Sequence, residues 1–92
     1  MRRVERRLFK LNDAIRDLRA EEARVAEELS MLEHIDDDAQ RDAAIGGPFD
    51  RKDARMTESD VARTRATLER LRLEIGRTEH TRDQLLERLA EG

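Results

Sequence analysis

The chain has 92 residues, with 19 Lys and Arg, 22 Asp and Glu, and no cysteine. This length allows one domain at most, and the absence of thiols excludes disulfides, cysteine nucleophiles and thiolate metal sites. Leu, Ile, Val and Phe supply 20 of the 92 residues, which is a thin apolar inventory for a chain of which 45% is charged. We therefore expect a partner, either a second copy or another helical protein.

The first predicted element is a helix over about residues 3–44. Apolar residues recur there every three or four positions, which is the heptad spacing of a coiled coil. We call the a and d positions of these heptads the seam. In this helix the seam comprises Val4, Leu8, Leu11, Ile15, Leu18, Glu22, Val25, Leu29 and Leu32.

A turn is predicted over about residues 45–53. Gly46, Gly47 and Pro48 form the only cluster of Gly and Pro in the sequence, and a helix does not continue through such a cluster. Asp50, Asp53 and the capping-box-like Thr57-Glu58-Ser59-Asp60 are alternative starts for the helix that follows.

The second predicted helix covers about residues 54–90. Its seam comprises Val61, Thr64, Leu68, Leu71, Ile75, Thr78, Arg82, Leu85 and Leu89. Across both helices 14 of the 18 seam residues are apolar, and no stretch alternates with the period of a strand. The sequence predicts an all-α fold, an antiparallel two-helix coiled-coil hairpin that completes a four-helix bundle by dimerisation.

The register of the hairpin depends on where the turn is centred. A turn near Asp50 places the seam residue Glu22 one layer from Arg82, so that these two charges can pair. A turn centred on Gly46 and Gly47 places both charges against leucines, which is costly for a buried charge. We favour the first register; the alternative for both side chains is that they extend to water.

Four large apolar residues lie off the seam and are candidate contacts for a second hairpin, or else isolated surface residues. They are Phe9, Ile35, Leu73 and Leu86.

Charge is unevenly distributed along the chain. Residues 33–60, around the turn, contain nine acidic and four basic residues, and Asp36, Asp37 and Asp38 form the longest acidic run. A cluster of five cations lies at the other end and projects away from the seam. It comprises Arg2, Arg3, Arg6, Arg7 and Lys10. These two sets are the candidate interaction residues. The cations could contact phosphates of nucleic acid or of a lipid surface, and the alternative is a solvated face.

Residues capable of catalysis are scarce. His34 and Asp38, four apart on a helix, could share a metal ion, but two ligands make a weak site and an exposed polar face is the alternative. We expect no cofactor and no enzymatic activity.

No stretch has the ~18 apolar residues of a membrane span, and the start MRRVERRLFK lacks the apolar run of a secretory signal. A cytoplasmic location is expected.

The sequence leads to two functional hypotheses. The first is a non-enzymatic coiled-coil module for protein–protein assembly, acting as an adaptor or scaffold. The second is a small regulator that inserts its acidic turn into a basic cleft of a larger machine, such as the transcription apparatus, or that binds a polyanion through its arginine-rich end.

Overall fold

A computed structural model describes residues 2–92 of the chain. It contains two α-helices, α1 at Arg2–Ile45 and α2 at Pro48–Glu91. The predicted all-α, antiparallel two-helix hairpin is confirmed, whereas its dimerisation into a four-helix bundle stays a prediction. The chain divides into two units, each containing a segment of both helices. We call Ala23–Glu69 the turn unit, and the residues up to Glu22 together with Arg70–Gly92 the basal unit.

The seam predicted from the sequence is confirmed. Of its 18 positions, 17 are buried or half-buried. Leu89 is the exception, with 37% of its surface exposed. It occupies the last seam position of the basal unit, two residues before α2 ends at Glu91. No charged residue among residues 2–92 is fully buried.

Near the turn, the seam continues further than we predicted from the sequence. Asp36, Ala39 and Ala43 of α1 are half-buried at a and d positions, and Ala54 of α2 is buried. These short side chains let the two helices approach closely. A close approach allows a very short connection between them.

The turn is shorter than predicted, because α2 begins at Pro48 rather than near residue 54. Only Gly46 and Gly47 connect the helices. Proline suits the first turn of a helix, where its missing N–H has no helical acceptor and its fixed φ is already helical. Asp50 adds a favourable negative charge in the same turn, and the Arg51 N–H donates to the Gly47 carbonyl at 3.3 Å. Pro48 therefore initiates α2 as soon as α1 has ended.

Contacts between the helices of the turn unit define the register. The Thr57 hydroxyl donates to the Asp36 carboxylate at 2.8 Å, and the Gln40 amide donates to the Ala54 carbonyl at 3.1 Å. Facing seam positions thus have residue numbers that add to 93, as those of Asp36 and Thr57 do. The register that we favoured from the sequence, centred near Asp50, is one heptad away and is wrong, because α2 starts earlier than expected.

The basal unit has the same register, and it separates the two seam charges. Arg72 Nε donates to the Glu22 carboxylate at 3.2 Å, and Arg82 Nε donates to Asp83 at 3.1 Å. The expected pairing of Glu22 with Arg82 is therefore corrected. Both side chains are 28% exposed, so their stems pack along the seam while the charged ends reach solvent. Because both charged ends reach solvent, this register does not bury a charge. The cost of such burial was the reason for favouring the register centred near Asp50.

Leu71 and Leu73 provide a test of the seam within one turn of α2. Leu71 is 8% exposed and Leu73 is 61% exposed. We expect Leu71→Ala to lower the free energy of unfolding by about 2–5 kcal/mol. Leu73→Ala, the matched control, should change it by less than about 0.5 kcal/mol. Urea titrations followed by circular dichroism measure both, and equal effects would contradict the seam.

Gly46 and Gly47 provide a similar test of the turn. A methyl group added at Gly46 would lie 2.7 Å from the Asp42 carbonyl oxygen and would overlap the Asp50 carboxylate, whereas one added at Gly47 meets nothing within 4 Å. We expect Gly46→Ala to destabilise the hairpin by about 1–3 kcal/mol through overpacking. Neither glycine has a positive φ, so Gly47→Ala should cost less than about 1 kcal/mol. Thermal melts measure both effects. Equal melting temperatures for the two variants would contradict the close contacts described at Gly46.

Candidate interaction surfaces

Each unit has two lateral faces, one on either side of the seam. With the seam at heptad positions a and d, positions g and c of both helices lie on one side, and positions e and b lie on the other. In the turn unit, Glu28 and Asp60, both at g, line a single groove. On the other side Glu33 and Arg65, both at e, form an ion pair at 3.3 Å. We call the first side the g face of each unit and the second its e face.

The g face of the turn unit carries a set of exposed apolar side chains. Ile45, directly before the two glycines, and Phe49, which follows Pro48, are 90% and 84% exposed. Three further residues at c or g positions of this unit are also exposed and apolar. Together the five residues of this apolar face are Met31, Ile35, Ile45, Phe49 and Met56. Apolar side chains gathered on one face mark an interaction surface more strongly than the same number scattered singly.

Aspartates alternate with these apolar residues. From Met31 to Asp60, the c and g positions of the two helices contain only apolar and acidic side chains. The acidic ones are Asp38, Asp42, Asp53 and Asp60. The first base beyond them on this face is Arg63, which pairs with Asp60. The apolar face is thus bordered by negative charge.

The three aspartates singled out from the sequence point in different directions, because successive helical residues are about 100° apart. Asp36 lies in the seam, where it accepts hydrogen bonds from Thr57 and Gln40. Asp37 is exposed on the e face, and Asp38 is exposed on the g face. The three carboxylates of the acidic run therefore lie on three different sides of α1.

The cations predicted at the other end all lie exposed on the basal unit. Four of them line one surface depression. They are Arg3, Arg6, Arg7 and Lys10. Arg3 and Arg7 also border a neighbouring cleft of about 250 Å³ on the g face, which we call the basal cleft. Its floor is apolar, formed by Val4, Leu85 and Leu89, and Arg88 borders its other side.

The off-seam residues considered from the sequence do not form one surface. Phe9, Leu73 and Leu86 are exposed on the basal unit, but they occupy positions b, f and e, which face different directions. Ile35 is the one that joins the apolar face. The other four members were not predicted from the sequence, although all of them occupy c positions once the heptads are assigned.

Residues that could bind a metal are sparse in the described part of the chain. His34 and Asp38 lie one helical turn apart, but no group of three or more His, Cys, Asp and Glu residues is close enough to bind an ion within residues 2–92. Neither α1 nor α2 contains a stretch that is long and apolar enough to cross a membrane.

Comparisons with known proteins found no matching family model, no similar curated protein and no similar solved structure. The residues that can be assigned a role are therefore those whose position and chemistry in this chain indicate one. The apolar face of the turn unit and the basal cleft are the two such surfaces.

Proposed function

We propose that the protein is a non-enzymatic helical module for protein–protein assembly, which binds its partner through the apolar face of the turn unit. The observation that carries this proposal is the exposure of five large apolar side chains on one face. Ile45 and Phe49 are the most exposed of them. Burial of such a side chain is worth about 1.5–3 kcal/mol, so a helix laid along this face would gain substantial binding energy.

The packing of the seam also favours a helical partner. In a two-helix hairpin each helix covers only one side of its neighbour, and several apolar seam residues are only half-buried, among them Leu8, Leu18 and Leu32. Additional helices against the g face would complete the cover, as they do in a four-helix bundle. We therefore propose a bundle as the form of the assembly, with a second copy or another helical protein as the source of the added helices.

Phe49 and Phe9 provide a matched test of this function. Both are exposed phenylalanines, but only Phe49 lies on the apolar face. A photo-crosslinking phenylalanine analogue at position 49, introduced into the chain in its native cells, should form crosslinks to protein that mass spectrometry can identify. The same analogue at position 9 should form far fewer. Crosslinks to this chain or to another protein both support the proposal, and equal yields at the two positions refute it.

The same crosslinking experiment also tests the regulator hypothesis, in which the acidic turn of the chain binds a larger machine. If the acidic turn unit inserts into a basic cleft of a larger machine, the crosslinks from position 49 should lead to a peptide of that machine rich in Lys and Arg. The Asp residues that border the apolar face would supply the attraction.

Polyanion binding at the basal unit is a second candidate function, because Arg3, Arg6, Arg7 and Lys10 line one depression. We expect an affinity for labelled duplex DNA that falls steeply with salt, since each phosphate contact releases a counterion. Arg6→Gln/Lys10→Gln should reduce the slope of log affinity against log salt by about 2. The matched control is Arg51→Gln/Lys52→Gln in the turn unit, which should leave the slope unchanged. Fluorescence anisotropy measures both, and an unchanged slope in the first variant would exclude this function.

A further inference from the structure

The g faces of the two units have opposite charge. In the turn unit the apolar face is bordered by carboxylates, and the c and g positions from Met31 to Asp60 contain no base. In the basal unit the corresponding positions near the chain ends are mostly cationic. These cations are Arg3, Arg7, Lys10 and Arg88. Each unit thus has the charge that the other would attract.

The apolar parts of the two faces are complementary as well. Ile45 and Phe49 protrude from the turn unit, since most of their surface is exposed. The basal cleft is concave, with Val4, Leu85 and Leu89 beneath its arginines. A protruding apolar group with an acidic border matches a concave apolar floor with a basic border. In such a contact the apolar burial supplies affinity, and the charges select the orientation.

We propose that the turn unit of one chain docks into the basal cleft of a second copy of the same chain. This inference rests on the proposed function, because it names the partner of the same apolar face. Asp42 and Asp53 would face Arg7 and Arg88 across the contact. All four occupy g positions, so each pair borders the groove between the helices. Since every copy has both surfaces, two copies can form the contact twice, as in an isologous dimer.

The test is a charge exchange between the two ends. One variant, Asp42→Arg/Asp53→Arg, makes the turn end basic; the other, Arg7→Glu/Arg88→Glu, makes the basal end acidic. In either variant alone, every contact between turn unit and basal cleft brings like charges together. In a mixture of the two variants, both contacts again join opposite charges. Light scattering after size exclusion gives the mass of each sample.

We expect the wild-type chain to have twice its monomer mass of 10.7 kDa. Each variant alone should dissociate to the monomer, with the dissociation constant raised at least about 100-fold, and the equimolar mixture should recover the dimer. A dimer that persists in both variants, or a mixture that stays monomeric, overturns the inference. A monomeric wild-type chain at every concentration overturns it too.

The controls separate this inference from simple unfolding and from the proposed function. Asp37→Arg/Glu58→Arg makes the same change of charge in the turn unit, but these residues line the groove on its e face, so this variant should stay dimeric. Circular dichroism checks that each variant is helical.

If a charge-reversed variant does not fold, Asp42→Asn/Asp53→Asn provides a milder test. This variant should form a weaker dimer than the wild-type chain, and an unchanged dissociation constant would count against the inference. A monomer that nevertheless crosslinks to another protein from position 49 ends this inference but preserves the proposed function.

Discussion

The narrow apolar seam between α1 and α2 is the contact on which the rest of the structure depends. It consists of one row of a and d residues from each helix, and its best-covered members, such as Ile15, Leu68 and Leu85, lie between charged outer surfaces. Because one row is enough to join two helices but not to surround them, the lateral faces stay open to solvent. The chemistry of these faces is therefore available for binding rather than committed to the core.

The two-glycine turn decides which residues face each other across that seam. Since Pro48 initiates α2 directly after Gly47, the register is one heptad from the one that pairing of Glu22 with Arg82 would require. As a consequence, Glu22 and Arg82 do not pair with each other. Glu22 pairs with the exposed Arg72, and Arg82 pairs with the exposed Asp83, so the chain tolerates two charged seam residues without burying either.

The same register aligns the g and c positions of the two helices, and this alignment gives the surfaces their character. In the turn unit it brings Met31 and Ile35 of α1 onto the same side as Met56 of α2, with aspartates between them. In the basal unit it places Arg7 and Arg88 on either side of one apolar cleft. A protein-binding surface needs apolar area for affinity and charge for orientation, and the turn unit has both on one face. This combination is the basis of the assembly function that we propose.

The sequence by itself determined the helices, the break between them and nearly all of the seam, because these follow from local signals: heptad spacing, a Gly-Pro cluster and the absence of strand patterns. It also located the acidic and basic ends. It did not determine the register, since a turn centred near Asp50 and one centred on Gly46 and Gly47 give pairings that differ by one heptad, and both align a with d. The difference depends on where α2 starts. Only the tertiary structure decided that Pro48 is that start, how far the seam continues toward the turn, and which lateral residues of α1 come next to which residues of α2. Those facts arise from the packing of one helix against the other, which no single stretch of sequence contains.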